Sequence, residues 1–212
     1  MCSLFPTQQR QPIHVGFLGP SGSYSEQALK SLVQNLSIQT VESVPKALFI
    51  PVASLRQLIQ SVSESHLVWA VLPVENALEG SVLEVMEAFG KPEANLDILL
   101  EWSIPIQHVL AALPEVSLEE IQTVLSHPQA LGQCRETLYE QFGDRLVLKA
   151  TSSTSDAIQT LTSDLTQTHA RQMAVIASAQ AAQEAGLQIL LENVADASHN
   201  TTRFVIFCPS HI

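Results

Sequence analysis

Short runs of β-branched and aromatic residues alternate with runs of helical periodicity along the whole chain, and this alternation constrains the fold more than any other feature. Strands are expected at Ile13–Leu18, Ile38–Ser43, Leu67–Val74, Ile106–Leu113, Gln122–Ser126, Leu146–Ala150, Met173–Ala177, Leu187–Leu191 and Arg203–Cys208. Between them, Leu55, Leu58, Ile59 and Val62 are spaced as one buried helical stripe, with Ser54 and Gln57 as a capping box at its start. Leu131, Cys134, Leu138 and Phe142 form a second stripe that stops at Gly143. The pattern specifies an α/β fold without repeats or long linkers.

Composition narrows the function. With 46% hydrophobic and 15% charged residues, a chain of 212 has ample core for one domain or two closely joined lobes. A formal charge of -11 argues against nucleic acid and anionic membrane as partners, both of which need a basic face. A site for a small anion must therefore supply its own local positive potential. Residues 1–12 lack a basic segment followed by an apolar run, so they are expected to be a loose tail and not a signal peptide. No apolar stretch approaches the length of a membrane span. Cys2, Cys134 and Cys208 are odd in number and widely spaced, which suits reduced thiols in a cytoplasmic protein. The histidines never fall in metal-ligand spacing, so no metal site is expected.

Strand after strand ends in a polar cluster that opens a helix. Gly19-Pro20-Ser21-Gly22-Ser23-Tyr24-Ser25-Glu26 follows the first strand. Ser23 and Glu26 form a capping box, the helix starts near Tyr24, and its first N–H groups with the glycines suit either an anion site or simply a tight turn. The spacing matches neither a dinucleotide fingerprint nor a P-loop. Pro73-Val74-Glu75-Asn76-Ala77-Leu78-Glu79-Gly80-Ser81 ends the strand of Leu67–Val74. Asn76 donates and accepts at once, and Glu75 with Glu79 could form an acid/base pair, although one capping and one solvated carboxylate is the preferred reading. Ser126-His127-Pro128-Gln129 opens a helix with Pro128 at its first position, and Cys134 on the apolar stripe reads as a buried structural thiol. Thr151-Ser152-Ser153-Thr154-Ser155 exceeds capping needs and could line a polar cleft. Ala177-Ser178-Ala179 repeats the arrangement more mildly. Finally, Asn200-Thr201-Thr202-Arg203-Phe204 brings an amide, two hydroxyls and an arginine to a strand entrance, a cluster able to hold a small anion.

In this order, FLGPSGSYSEQA, PVENALEGSV, SHPQALGQC, STSDA, AVIASAQAA and NTTRFVIF closely resemble the catalytic domain of prephenate dehydratases, over about residues 13–208. The resemblance implies a two-lobed fold like a type II periplasmic binding protein, with the active site in the cleft between the lobes. One lobe is expected to span about 13–82 plus 192–208 and the other about 104–191, the segment between them crossing over and 209–212 forming a tail. The implied reaction converts prephenate to phenylpyruvate, carbon dioxide and water, with no cofactor, metal or covalent intermediate. The implied partner is that small molecule alone, with a homodimer open as a weak association.

By resemblance, Asn76, Ser126, Gln133 and Thr202 match the family's functional residues, Thr202 being the donor to the departing hydroxyl. A threonine is a very poor acid, so it is expected to act as a positioned donor or relay. Substrate contacts are expected from Ser21, Gly22, Ser23 and Tyr24 in the first turn and from Ser81 after the second motif. Gln129, Ser153 and Thr154 would contribute from helix starts, and Thr201, Arg203 and Phe204 from the final strand. Strand alternation turns Arg203 away from Thr202, so it either meets a carboxylate or braces the strand, and bracing is preferred. Ala77 stands where the family commonly has a hydroxyl, leaving a backbone N–H as the contact available there. The family's T-R-F strand usually leads to a regulatory ACT domain that binds phenylalanine, whereas here Cys208-Pro209-Ser210-His211-Ile212 follow. Either a naturally unregulated enzyme or a chain cut at a domain boundary is expected, the latter preferred, and phenylalanine is expected not to inhibit it. The rivals are arogenate dehydratase, which the motifs do not separate, and a non-catalytic binding module of the same architecture.

Overall fold

The computed structural model describes residues 12–39, 47–90, 95–163 and 168–210, and the chain divides into two units, residues 1–105 with 201–212 and residues 106–200. Unit 1 contains β1 (Ile13–Leu18), α1 (Tyr24–Gln39), β2 (Ala47–Val52), α2 (Leu55–Ser63), β3 (Trp69–Asn76), β4 (Gly80–Ser81), α3 (Leu83–Phe89) and β5 (Leu96–Pro105). The last strand, β11 (Thr201–Pro209), returns to this unit. Unit 2 contains β6 (Val109–Ala112), β7 (Thr123–Ser126), α4 (Pro128–Gln133), α5 (Arg135–Phe142), β8 (Val147–Ala150), α6 (Thr154–Ser163), β9 (Met173–Ala177), α7 (Ala179–Glu184) and β10 (Gln188–Leu191).

The sheet of unit 1 runs β2-β1-β3-β11-β5, with β4 paired to β3. β1 is parallel to β2 and β3, while β11 runs antiparallel between β3 and β5. Leu55, Leu58 and Val62 of α2 pack with Leu72, Val205 and Phe207 of the sheet, and Phe89 meets Phe207 edge to face with ring centroids 5.5 Å apart. Ser54 accepts the Gln57 N–H at 3.3 Å and caps α2 as its sequence suggests.

The sheet of unit 2 runs β10-β6-β9-β7-β8 and is covered on both faces. Leu110 and Ala112 of β6, with Ala174 and Ile176 of β9, face the core that holds Leu131, Cys134, Leu138 and Phe142. The alternate residues Val109, Ala111, Val175 and Ala177 face Ala157, Leu161, Ala181 and Ala182. Period-two alternation between two buried faces explains why these strands read as unbroken apolar runs.

Several expectations give way. Ile38 and Gln39, placed in a strand by their sequence, close α1, and the rest of that expected strand lies outside the described residues. β2 follows instead, with Pro51 inside it; an edge strand tolerates a proline because one side of its backbone needs no partner. β5 is a second edge strand, and its half-buried pattern, with Asp97 and Glu101 outward, hid it among polar residues. Residues 83–103, expected to cross between lobes, thus supply α3 and β5 to unit 1, while 192–200 remain with unit 2. The expected single helix at Leu131–Phe142 is broken at Cys134 into α4 and α5. Asp196 causes the break by capping α5, its carboxylate accepting the N–H groups of Glu136 at 3.1 Å and Thr137 at 2.9 Å. Asp196→Ala is expected to cost about 1 kcal/mol in chemical denaturation, the usual worth of a carboxylate cap.

Candidate functional site

In unit 1 the parallel strands β1 and β3 end at the same edge, and the antiparallel β11 begins there. This geometry brings the Gly19–Tyr24 turn, Asn76 and Thr202 to one edge of the sheet. β11 starts at Thr201, two residues before the expected strand, so Thr202 is held on both sides, opposite Asn76 on β3 and Ile104 on β5. It is 8% exposed, which is buried for a polar side chain.

The orientation of Asn76 is fixed by its own loop. Its Oδ1 accepts the N–H groups of Leu78 at 2.9 Å and Glu79 at 3.1 Å, shaping the turn into β4, where Gly80 takes φ 83°. The other end of the amide must therefore be the NH2 group, and it donates to Thr202 Oγ1 at 2.8 Å. A hydroxyl that accepts from an amide keeps its own hydrogen to give. Among the described residues no acceptor takes the Thr202 hydrogen. Thr201 is exposed, and its carbonyl accepts the Ala77 N–H at 2.9 Å, so the backbone contact expected at Ala77 is already spent. Ser81 is exposed on β4 opposite Glu75.

Arg203 faces away from Thr202 and spends both terminal nitrogens on carboxylates, Glu75 Oε2 at 2.7 Å and Glu101 Oε1 at 3.0 Å. These residues lie on the strands flanking β11, so the guanidinium ties three strands together across a register irregularity after Arg203. The hydrogen bond and charge of Glu101, followed by Glu75, raise its pKa further. The pairs are half exposed, so they fix geometry more than they add stability. This use displaces Arg203 from the substrate-binding set and Glu75 from an acid/base pair. Phe204 is 1% exposed and stacks near Trp102 with ring centroids 6.0 Å apart, a core position and not a binding one.

The Gly19–Tyr24 turn is also less open than expected. Ser23 Oγ accepts the Glu26 N–H at 3.4 Å and donates to the Leu18 carbonyl at 2.9 Å. Glu26 turns back not to Ser23 but to Gly22, whose N–H it accepts at 2.6 Å, while pairing with Lys30 at 3.1 Å. The protein's own carboxylate thus occupies one donor of the supposed anion cradle. Ser21 is exposed on the turn, and the half-buried Tyr24 begins α1.

In unit 2 the parallel strands β7, β8 and β9 end together where α4, α6 and α7 begin. Ser126 is fully buried and its hydroxyl donates to the Ile176 carbonyl at 2.8 Å. That bond joins neighbouring strands. His127 caps α4 through Nδ1, accepting the N–H of the exposed Gln129 at 3.3 Å. The hydroxyl run caps itself: Ser153 Oγ accepts the Asp156 N–H at 2.9 Å, and Ser152 donates to Asp156 through N–H at 3.0 Å and Oγ at 2.9 Å. Thr154 follows as the first residue of α6.

Gln133 ends α4, and its Oε1 meets His108 Nε2 at 3.1 Å and Asn200 Nδ2 at 3.3 Å. His108 is not legible in the sequence, because a lone histidine before an apolar strand carries no pattern. Burial lowers its pKa and the Gln133 hydrogen bond partly restores it, so the ring is neutral at physiological pH. Cys134 is fully buried, and desolvation with the nearby Asp196 charge pushes its pKa up to about 12. It is a packing thiol. Alkylating reagents at pH 8 are expected to leave it unmodified in the native protein and to label it after denaturation, as mass mapping would read. Among the described residues, no acidic, histidine and cysteine group is arranged to hold a metal ion, and no helix is long and apolar enough to cross a membrane.

Comparisons with known proteins agree with the motif series. The prephenate dehydratase family model matches residues 15–211. A bifunctional chorismate mutase/prephenate dehydratase from Buchnera aphidicola subsp. Acyrthosiphon pisum is 33% identical over 197 residues, covering 92% of this chain and 47% of the relative. Arogenate dehydratase 1 from Petunia hybrida is 34% identical over 194 residues, covering 92% of this chain and 42% of the relative. The chain therefore spans less than half the length of these relatives. Among solved structures, a prephenate dehydratase from Arthrobacter aurescens in complex with L-Phe superposes with a TM-score of 0.76 at 28% identity, over 94% of this chain and 61% of that one. A protein described as GqqA, a novel type of quorum quenching acylase, gives a TM-score of 0.72 at 28% identity, over 92% of this chain and 64% of that one. A family match over nearly all residues, on a mixed α/β fold with Thr202 fixed against Asn76, means that this chain belongs to the prephenate dehydratase family.

Proposed function

We propose that this chain catalyses the decarboxylating dehydration of prephenate to phenylpyruvate, carbon dioxide and water. The observation that carries the reading is the polarity of the Thr202 hydroxyl, which accepts from Asn76 and keeps its hydrogen for a ligand. In the elimination the bond to the ring carboxylate breaks, and its electron pair enters the ring as the ring aromatises. The ring carbon–oxygen bond then releases its pair to the departing hydroxyl, which takes up one proton and leaves as water. Thr202 donates a hydrogen bond to that oxygen as charge develops on it. Its high pKa makes it a positioned donor, with the proton supplied ultimately by solvent. Aromatisation supplies the driving force, and stabilisation is needed only where charge appears in the transition state.

We assign Asn76 to orient Thr202 and Gln133 to donate to a substrate oxygen, and we leave Ser21, Ser81, Gln129 and Thr154 as contacts for the substrate's polar groups. Buried reduced thiols at Cys134 and Cys208 support a reducing, cytoplasmic setting. Arogenate is the alternative substrate, because relatives bearing either name match at similar identity. An acylase reading is less favoured, since Thr202 accepts from a donating amide, which cannot take a proton from a nucleophile. Assaying purified protein with prephenate and arogenate in parallel tests the proposal. Faster turnover of prephenate is expected, and arogenate turnover far exceeding it would reverse the ranking.

A further inference from the structure

We propose that Arg203, held between Glu75 and Glu101, is a positioning residue that fixes a β-bulge and thereby places Asn76 on the face of Thr202. The inference rests on the role proposed above for that pair and extends it to Glu101, a residue outside every motif.

Strict alternation along β3 would put Asn76 on the wrong face of the sheet. Leu72 and Val74 both join the apolar core shared with α2 and α3, together with Val205 and Phe207. A period of two would carry Asn76 into that core as the next member of the series. The pairing with β11 prevents this. Arg203 stands opposite Glu75 and Phe204 opposite Pro73, so Val74 has no partner of its own on β11. One extra residue on β3 turns the side chains beyond it to the other face. Val74 and Glu75 therefore share a face, and Asn76 arrives opposite Thr202, donating to its Oγ1 at 2.8 Å.

The irregularity is held from the β11 side. Towards β4 the pairing of β3 is regular, with Glu75 opposite Ser81, Asn76 opposite Gly80 and the Val74 carbonyl accepting the Val82 N–H at 2.9 Å. Arg203 sits at the step itself. Its guanidinium meets Glu75, the residue directly after the unpaired Val74, at 2.7 Å, and Glu101 on the opposite flank at 3.0 Å. Glu101 faces Val205 across β5 and β11, so the two carboxylates hold the guanidinium from both neighbouring strands. A planar fork can span two carboxylates in this way. The three side chains are about half exposed, and such pairs add little to overall stability. Their loss should therefore leave the fold standing while the register at Val74 relaxes and Asn76 moves off Thr202.

Two-dimensional NMR of the Asn76 side-chain amide, assigned by its loss in Asn76→Asp, reads the positioning without turnover. Arg203→Met keeps most of the stem and removes the fork. It is expected to shift those resonances and to lower kcat about 10- to 100-fold with KM nearly unchanged, the scale of loss for a misplaced contact. Glu101→Gln keeps the shape of the side chain and leaves the Arg203–Glu75 pair, so it should act in the same direction to a smaller degree. Added to Thr202→Ala, Arg203→Met should lower kcat no further, because the two changes remove one interaction. A change confined to KM would make Arg203 a substrate contact and overturn the proposal. Unmoved Asn76 resonances in Arg203→Met, or losses that multiply in the double variant, would overturn it as well. Inactivity of the wild-type protein on both prephenate and arogenate would count against the functional reading alone, since the Asn76 resonances are read without turnover.

Discussion

Replacing Thr202 with alanine is expected to lower kcat on prephenate by about a hundred-fold to ten-thousand-fold while leaving KM nearly unchanged. Removal of a single donor to a developing negative charge has effects of this size. The hydrogen bond to the departing oxygen strengthens as its carbon–oxygen bond lengthens, so its loss appears in the transition state and not in ground-state binding. Thr202 is paired on both sides within the sheet, so the backbone of β11 stays in place without the hydroxyl. Thr202→Ser keeps the hydroxyl and should retain most of the activity. A change confined to KM would remove Thr202 from the chemistry.

Asn76→Asp is expected to lower kcat by a similar factor, at least about a hundred-fold, although it changes the shape of the side chain very little. One carboxylate oxygen can still accept from Leu78 and Glu79, so the turn into β4 is preserved. The other now faces Thr202 Oγ1 as an acceptor where the amide was a donor. The threonine hydrogen turns to the carboxylate, and the hydroxyl presents only lone pairs to the substrate. The new negative charge also repels a dianionic ligand, so KM should rise as well. Activity near wild type in a folded Asn76→Asp protein would show that the donor geometry does not govern the rate.

The contrast between Thr202 and Arg203 shows what the sequence could and could not carry. Strand alternation alone turned Arg203 away from Thr202, and its ion pairs with Glu75 and Glu101 explain where it goes. Glu101 itself was invisible because β5 is an edge strand whose outward positions are polar and whose apolar pattern is therefore broken. Doubly covered strands such as β9 were readable because both faces are apolar. Polar clusters after strands identified the helix starts correctly but not how their groups are spent. Glu26 on Gly22 and Asp156 on Ser152 satisfy donors that sequence alone leaves open to a ligand. Ser126 illustrates the same limit, since a serine at a strand end reads alike whether it meets a substrate or the Ile176 carbonyl. His108 and Asp196 act through contacts distant in sequence, and no local spacing encodes those.

The kcat for phenylpyruvate formation at saturating prephenate, measured for Asn76→Asp, Thr202→Ala and the double variant, tests the central claim most directly. If Asn76 acts by setting the direction of the Thr202 hydroxyl, the two changes remove one interaction, and the double variant should be about as slow as Thr202→Ala alone. Losses that multiply in the double variant would mean that the two residues act independently, contradicting a donor oriented by Asn76.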